Sequence, residues 1–129
     1  MPDLYLIFNH QLTTLQERAA VNELGTSHIH RLAPELQSLW SQIPSDLVEL
    51  AAYLKPIVQW LSDKANPADT VLIQGDFGAC YLMVTTAFQL GLIPVYSTTR
   101  REAVEEYGDD GTVKLVHLFK HVIFRKYGR

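Results

Sequence analysis

A single cysteine, Cys80, stands among 129 residues, so no disulfide can form within the chain and the fold must rest on a packed core. The thiol lies in an apolar segment, the setting of a buried, inert side chain in a reducing compartment. Metal-ligand spacing is missing too. His28 and His30 alternate on an extended stretch while His117 and His121 belong to another region, so no metal and no other cofactor is expected. Neither GxGxxG nor GxxxxGK[ST] occurs, which removes the two best-known nucleotide fingerprints. The start, Met1-Pro2-Asp3 followed by Leu4, has no basic stretch and no small-residue cleavage site, so a cytoplasmic location is expected. Charge is absent from Phe77 to Thr99, long enough to raise a membrane span, but Gly91 and Pro94 break the run. A buried helix followed by a buried strand is the reading, with no membrane partner.

What is present is apolar material, 47% of the chain, enough for one domain over residues 1–129 with a core of its own. Charge is uneven. Residues 1–99 are acidic on balance, whereas Lys114, Lys120, Arg125, Lys126 and Arg129 close the chain with no acid among them. A compact basic end on an acidic protein argues against duplex DNA, which needs a wide basic face, and suits a small polyanion.

Leu4 to Phe8 is a continuous apolar run, the mark of a strand buried on both faces. Thr14 and Glu17 have capping-box spacing for a helix closing at Gly25, and Ser27 to Leu32 reads as a second, edge-like strand. Pro34 to Trp40 forms a helical turn or two. Leu47, Leu50, Ala51, Leu54, Ile57, Val58 and Leu61 recur at helical spacing, with Pro56 expected to kink or divide that helix near Lys55. Thr70 to Gln74 is a third strand, the helix after Gly78 runs to about Leu90, and Leu92 to Ser97 is a fourth strand. This alternation predicts an α/β fold: a Rossmann-like, mainly parallel sheet with helices on both faces. Glu102 to Tyr107 and Thr112 to Phe119 alternate at period two around Asp110-Gly111, predicting a C-terminal β-hairpin extension, although Arg101 to Glu106 also suits a helix. A short last strand, Val122 to Phe124, follows.

Ligands in such sheets sit beyond the C-terminal strand ends. That collects Asn9, His10 and Gln11 after the first strand, Gln74 to Gly78 after the third, and Ser97, Thr98, Thr99, Arg100 and Arg101 after the fourth. Within Gln74-Gly75-Asp76-Phe77-Gly78, the two glycines leave helix-start amides open to a phosphate. Asp76 either caps that helix or contacts a ribose or an adenine amine.

Five stretches in order carry a resemblance over nearly the whole chain: Ile7-Phe8-Asn9-His10-Gln11-Leu12-Thr13, Leu39-Trp40-Ser41-Gln42-Ile43-Pro44, Val71 to Tyr81, Leu92 to Thr99, and His121 to Tyr127. Together they resemble a small CRISPR-associated Csx family of type III systems, the one numbered twenty. The resemblance implies a CARF-like sensor domain that binds cyclic oligoadenylate. It also implies a ring nuclease that opens cyclic tetra-adenylate and switches off the antiviral response. The symmetry of that ligand makes a homodimer the expected form. Chemistry assigns the roles. Cleavage by the ribose 2'-hydroxyl needs no metal, only orientation, charge stabilisation and a proton acceptor. His10 is the candidate acceptor, unless it serves only to bond its own loop, and Arg100 or Arg101 would hold the developing charge. Ser97, Thr98 and Thr99 would take phosphate oxygens, while Gln74 and Asp76 would read adenine or ribose. His121, Arg125 and Lys126 serve either the pocket or a dimer interface. Two alternatives compete with it: a sponge or sensor that uses the same pocket without cutting, and a structural subunit whose basic tail docks on RNA or on a larger effector.

Overall fold

Short apolar runs become the central strands. In the computed structural model, which describes residues 1–129, β1 (Leu4–Ile7) is buried at every position, as is β3 (Thr70–Ile73), numbered for its place in the chain. Full burial is what strands covered on both faces require. With β2 (Ile29–Arg31), β4 (Ile93–Tyr107) and β5 (Val113–Lys126) they form one five-stranded sheet of order β2-β1-β3-β4-β5. The first four strands are parallel, and β5 runs antiparallel to β4. The chain steps outward from β1 to β2 and then returns past β1 to β3. The crevice between the ends of β1 and β3 is therefore the switch point where such sheets hold ligands.

Strand pleating splits the core in two. Leu4, Leu6, Leu72, Val95 and Phe124 meet Ala19 and Ala20 of α1 (Thr14–Leu24) on one face. On the other, Tyr5, Ile7, Val71 and Ile73 pack with Trp40 of α2 (Pro34–Ser41), Ile57 and Leu61 of α3 (Lys55–Lys64), and Ala79 and Met83 of α4 (Phe77–Gln89). The fold is mixed α/β with helices on both faces of a mainly parallel sheet. No helix is long and apolar enough to cross a membrane.

Three elements differ from the sequence expectation. The capping box is made by Thr13 and Gln16, not Thr14 and Glu17: Thr13 Oγ1 accepts from the Gln16 amide at 3.1 Å and Gln16 Oε1 from the Thr13 amide at 3.0 Å. A glutamine closes the box as a glutamate would. The long helix expected from Leu47 is irregular as far as Leu50 and turn from there to Leu54, and α3 starts at Lys55 with Pro56 in its first turn. There the missing proline N–H breaks no bond, and upstream of it Leu50 and Leu54 still reach the core without a regular helix while Leu47 is 41% exposed. The third difference has the widest effect. Ser97 to Arg101 is no strand-end loop but the middle of β4, and the expected hairpin and final short strand are continuous with the sheet. No glycine or proline lies between Val95 and Tyr107, and β5 supplies a partner along the whole length, which also overrides the helix option for Arg101 to Glu106.

Candidate functional site

The β3–α4 corner holds a cavity of about 440 Å³ lined by Gln74, Gly75, Phe77, Tyr81, Tyr96 and Tyr127 among others. Its floor is fixed by Trp40, whose Nε1 donates to the Gln74 carbonyl at 3.0 Å. The indole lies so close beneath Gly75 that a Cβ there would sit 2.9 Å from Nε1, so only glycine fits. Gln74 turns its Oε1 to accept from the Ser97 amide at 2.8 Å, tying the end of β3 to β4. On the other wall Tyr127 donates to the Ile73 carbonyl at 2.6 Å and its ring lies 4.9 Å from that of Tyr96. Arg125 donates to the Tyr96 hydroxyl at 3.0 Å, with its guanidinium carbon 5.6 Å from the ring centroid. Phe77 and Tyr81, one turn apart on α4, are 96% and 73% exposed. Such a cleft offers aromatic faces to a planar base, with a cation at its rim.

Asp76 is the cap of α4, accepting from the Ala79 amide at 3.0 Å. Its carboxylate offsets the positive helix end, so this corner suits a base better than a phosphate. Burial, with the charge of Asp76 adding to it, pushes the Cys80 thiol up to about 11. The thiol is thus held protonated and is no nucleophile at neutral pH. Burial likewise pushes the Tyr127 phenol up to about 12.

A second cavity, of about 420 Å³, opens beyond β1 and is lined by Asn9, His10, Gln11, Arg31, Pro34 and Gln37 among others. Gln37 Nε2 donates to the Phe8 carbonyl at 2.7 Å and holds the turn in place. His10 packs edge-on against Phe8, the rings 5.5 Å apart, and is exposed. Arg31 reaches Glu17 at 3.4 Å and brings a cation to the same cavity.

On the α1 face runs a row of polar groups. The Ser97 hydroxyl and His121 Nδ1 lie 2.5 Å apart, His121 Nε2 is 3.0 Å from Glu23 Oε2, and Glu23 Oε1 accepts from the Phe124 amide at 2.8 Å. A carboxylate only accepts, so Nε2 carries the proton, and in the neutral ring Nδ1 accepts from Ser97. A β-bulge makes this possible. Ser97 pairs with Phe124 but Thr99 with His121, so one extra residue on β5 brings His121 and Phe124 to the same face. The row has the order of an acyl-transfer triad, but Ser97 is 6% exposed and its amide is taken by Gln74. As built it clamps α1 to β4 and β5.

The residues read from the sequence therefore fall into separate groups. Gln74, Gly75 and Phe77 line the aromatic cavity, beside Asp76 and Gly78, with Arg125 at its rim. Asn9, His10 and Gln11 line the cavity beyond β1. Ser97 and His121 belong to the clamp, and Thr98 bonds the β5 backbone at Ile123. Thr99 lines a cavity beside α1. Arg100 lines another with Lys120 and Glu102, away from the His10 cavity, and Arg101 is exposed on β4. Sequence reasoning passed over Tyr81, Tyr96, Tyr127, Arg31 and Glu23. Phe77 and Tyr81 at helical spacing on an otherwise apolar segment were the one available signal.

A model of the uncharacterized protein MJ1673 family matches residues 2–125. The uncharacterized protein MJ1673 of Methanocaldococcus jannaschii is 48% identical over 127 residues, 98% of this chain and 98% of its own. No solved structure matches the chain.

Proposed function

The chain belongs to the uncharacterized protein MJ1673 family, and we propose that it is a CARF-like, Rossmann-like protein that binds cyclic tetra-adenylate and cleaves it without a metal. The observation that carries this reading is the aromatic cavity at the β3–α4 corner, with Gln74 and Gly75 at its floor and Arg125 at its rim. Adenine stacks between tyrosine and phenylalanine rings, and Gln74 Nε2 has no partner within the chain and is free to bond a base edge. The cavity beyond β1 is a separate one, sharing no lining residue with the first and walled in part by Leu6 and Phe8 of the α1 face. Its Arg31 and His10 supply the cation and the proton acceptor that attack by a ribose 2'-hydroxyl on its own phosphate requires. Products would be linear oligoadenylates ending in a 2',3'-cyclic phosphate. A ligand of four repeats is spanned by two copies of the chain, each offering both cavities.

The test is incubation with cyclic tetra-adenylate in chelator, with products separated and weighed by mass spectrometry. Tyr96→Ala is expected to abolish binding, and His10→Ala to keep binding while losing about a hundredfold or more in turnover. Ligand that binds and stays intact would make the protein a sponge or sensor. Ligand that neither binds nor changes would end the reading.

A further inference from the structure

Beyond Thr99 and His121, β4 and β5 leave the sheet as a two-stranded ribbon. Cross-strand register sets Arg101 beside Phe119, Ala103 beside His117, Glu105 beside Leu115, and Tyr107 beside Val113. These pairs share the face that, nearer the sheet, turns Ser97 and His121 toward α1. Here nothing covers them: Phe119, Leu115, Tyr107 and Val113 are 67%, 58%, 74% and 57% exposed. A two-stranded ribbon is marginal by itself, and a bare apolar row of this length marks a contact surface.

The row is complementary to itself. Two steps from Ala103 toward the sheet stands Arg101, which has no ion-pair partner in its own chain. Two steps toward the tip stands Glu105, whose carboxylate meets only the Tyr107 hydroxyl, at 2.8 Å. Four residues of strand hold the two about 13 Å apart, beyond mutual reach. A two-fold axis lying between two such faces at Ala103 and His117 reverses the strand direction. Arg101 then meets the second copy's Glu105, and Phe119 meets the second copy's Leu115. Four steps out, the second copy's Tyr107 arrives over Thr99, where a cavity of about 340 Å³ opens between Thr13, Leu15, Gln16, Phe119 and His121.

We infer that the ribbon is a dimerisation arm: its α1-side face packs antiparallel on the same face of a second copy, and each Tyr107 fills the other's cavity beside His121. The surface owes nothing to the nucleotide reading, so it is tested without nucleotide. Sedimentation of the wild-type chain at micromolar concentration is expected to give twice the 14.6 kDa of one copy. Glu105→Arg, or Arg101→Glu, sets like charges together twice per dimer and is expected to weaken association by about a hundredfold. The double exchange restores opposite charges and is expected to return affinity to within about threefold of wild type. These side chains are exposed, so circular dichroism should be unchanged throughout. A monomeric wild type overturns the inference, including one that is monomeric yet retains RNA. So does a dimer indifferent to both reversals, or a folded double exchange that stays monomeric.

Discussion

The base of the molecule and its arm are built from similar residues held by different forces. Val, Leu, Ile and Phe occur in both, yet of the 28 buried residues none lies between Thr98 and Ile123. In the base, β1 and β3 are roofed by helices on each side, and each buried side chain removes apolar surface from water. In the arm the same kinds of side chain stand on a ribbon that no helix roofs, and order comes from the backbone ladder between β4 and β5. Apolar composition is therefore a poor guide to where stability resides here. Whether an element is roofed decides it.

The contrast is sharpest under truncation. Trp40→Ala removes a side chain that is 2% exposed and bonded to Gln74, and is expected to cost about 3–5 kcal/mol in chemical denaturation. Leu118→Ala, in the arm at 42% exposure and off the proposed dimer face, should stay within about 1 kcal/mol. Similar losses at the two sites would break the comparison.

A middle-sized effect separates the two regions by glycine. Gly75→Ala drives a methyl into the Trp40 indole and is expected to cost about 1–3 kcal/mol, with a shift in tryptophan fluorescence. Gly111, at the arm's turn, has φ of 83° and nothing near a new Cβ. Alanine there should cost about 1 kcal/mol of backbone strain and leave the fluorescence alone.

The smallest effect is alkaline. Folding holds Cys80 protonated to about 11 against an ordinary 9.0, and Tyr127 to about 12 against 10.0. Each raised group favours the folded state fully below its ordinary value. That contribution fades as the unfolded chain ionises first, so melting temperature should fall as pH climbs from 9 toward 12. Both groups belong to the base. Cys80→Ala and Tyr127→Phe should flatten the fall, and a melting curve unchanged by either would show that neither burial matters to folding.

Much of the base was legible because its signals are local. Leu4 to Phe8 and Val71 to Ile73 read as buried strands without help, and Gly25 ended its helix where a left-handed residue was needed. Thr13 and Gln16 were missed by a single residue, since two overlapping cap patterns fit the same stretch. The site was legible in part. Gln74, Gly75 and Phe77 could be placed at a strand end, but Tyr96 and Arg31 join the cavities from other strands and Tyr127 from the turn after β5. No spacing rule brings such residues together.

The chain by itself determined the alternation of strand and helix, the two-faced burial of the central strands and the tight corner at Gln74-Gly75-Asp76, because propensity, periodicity and capping act over a few residues. Tertiary structure alone decided that Ser97 to Arg101 would be strand rather than loop, that a bulge would turn His121 toward Glu23, and that His10 and Arg100 would line different cavities. Those outcomes depend on partners far apart in sequence, from 23 residues for Gln74 with Ser97 to 101 for Glu23 with Phe124. Only closing the sheet brings such partners within reach of a hydrogen bond.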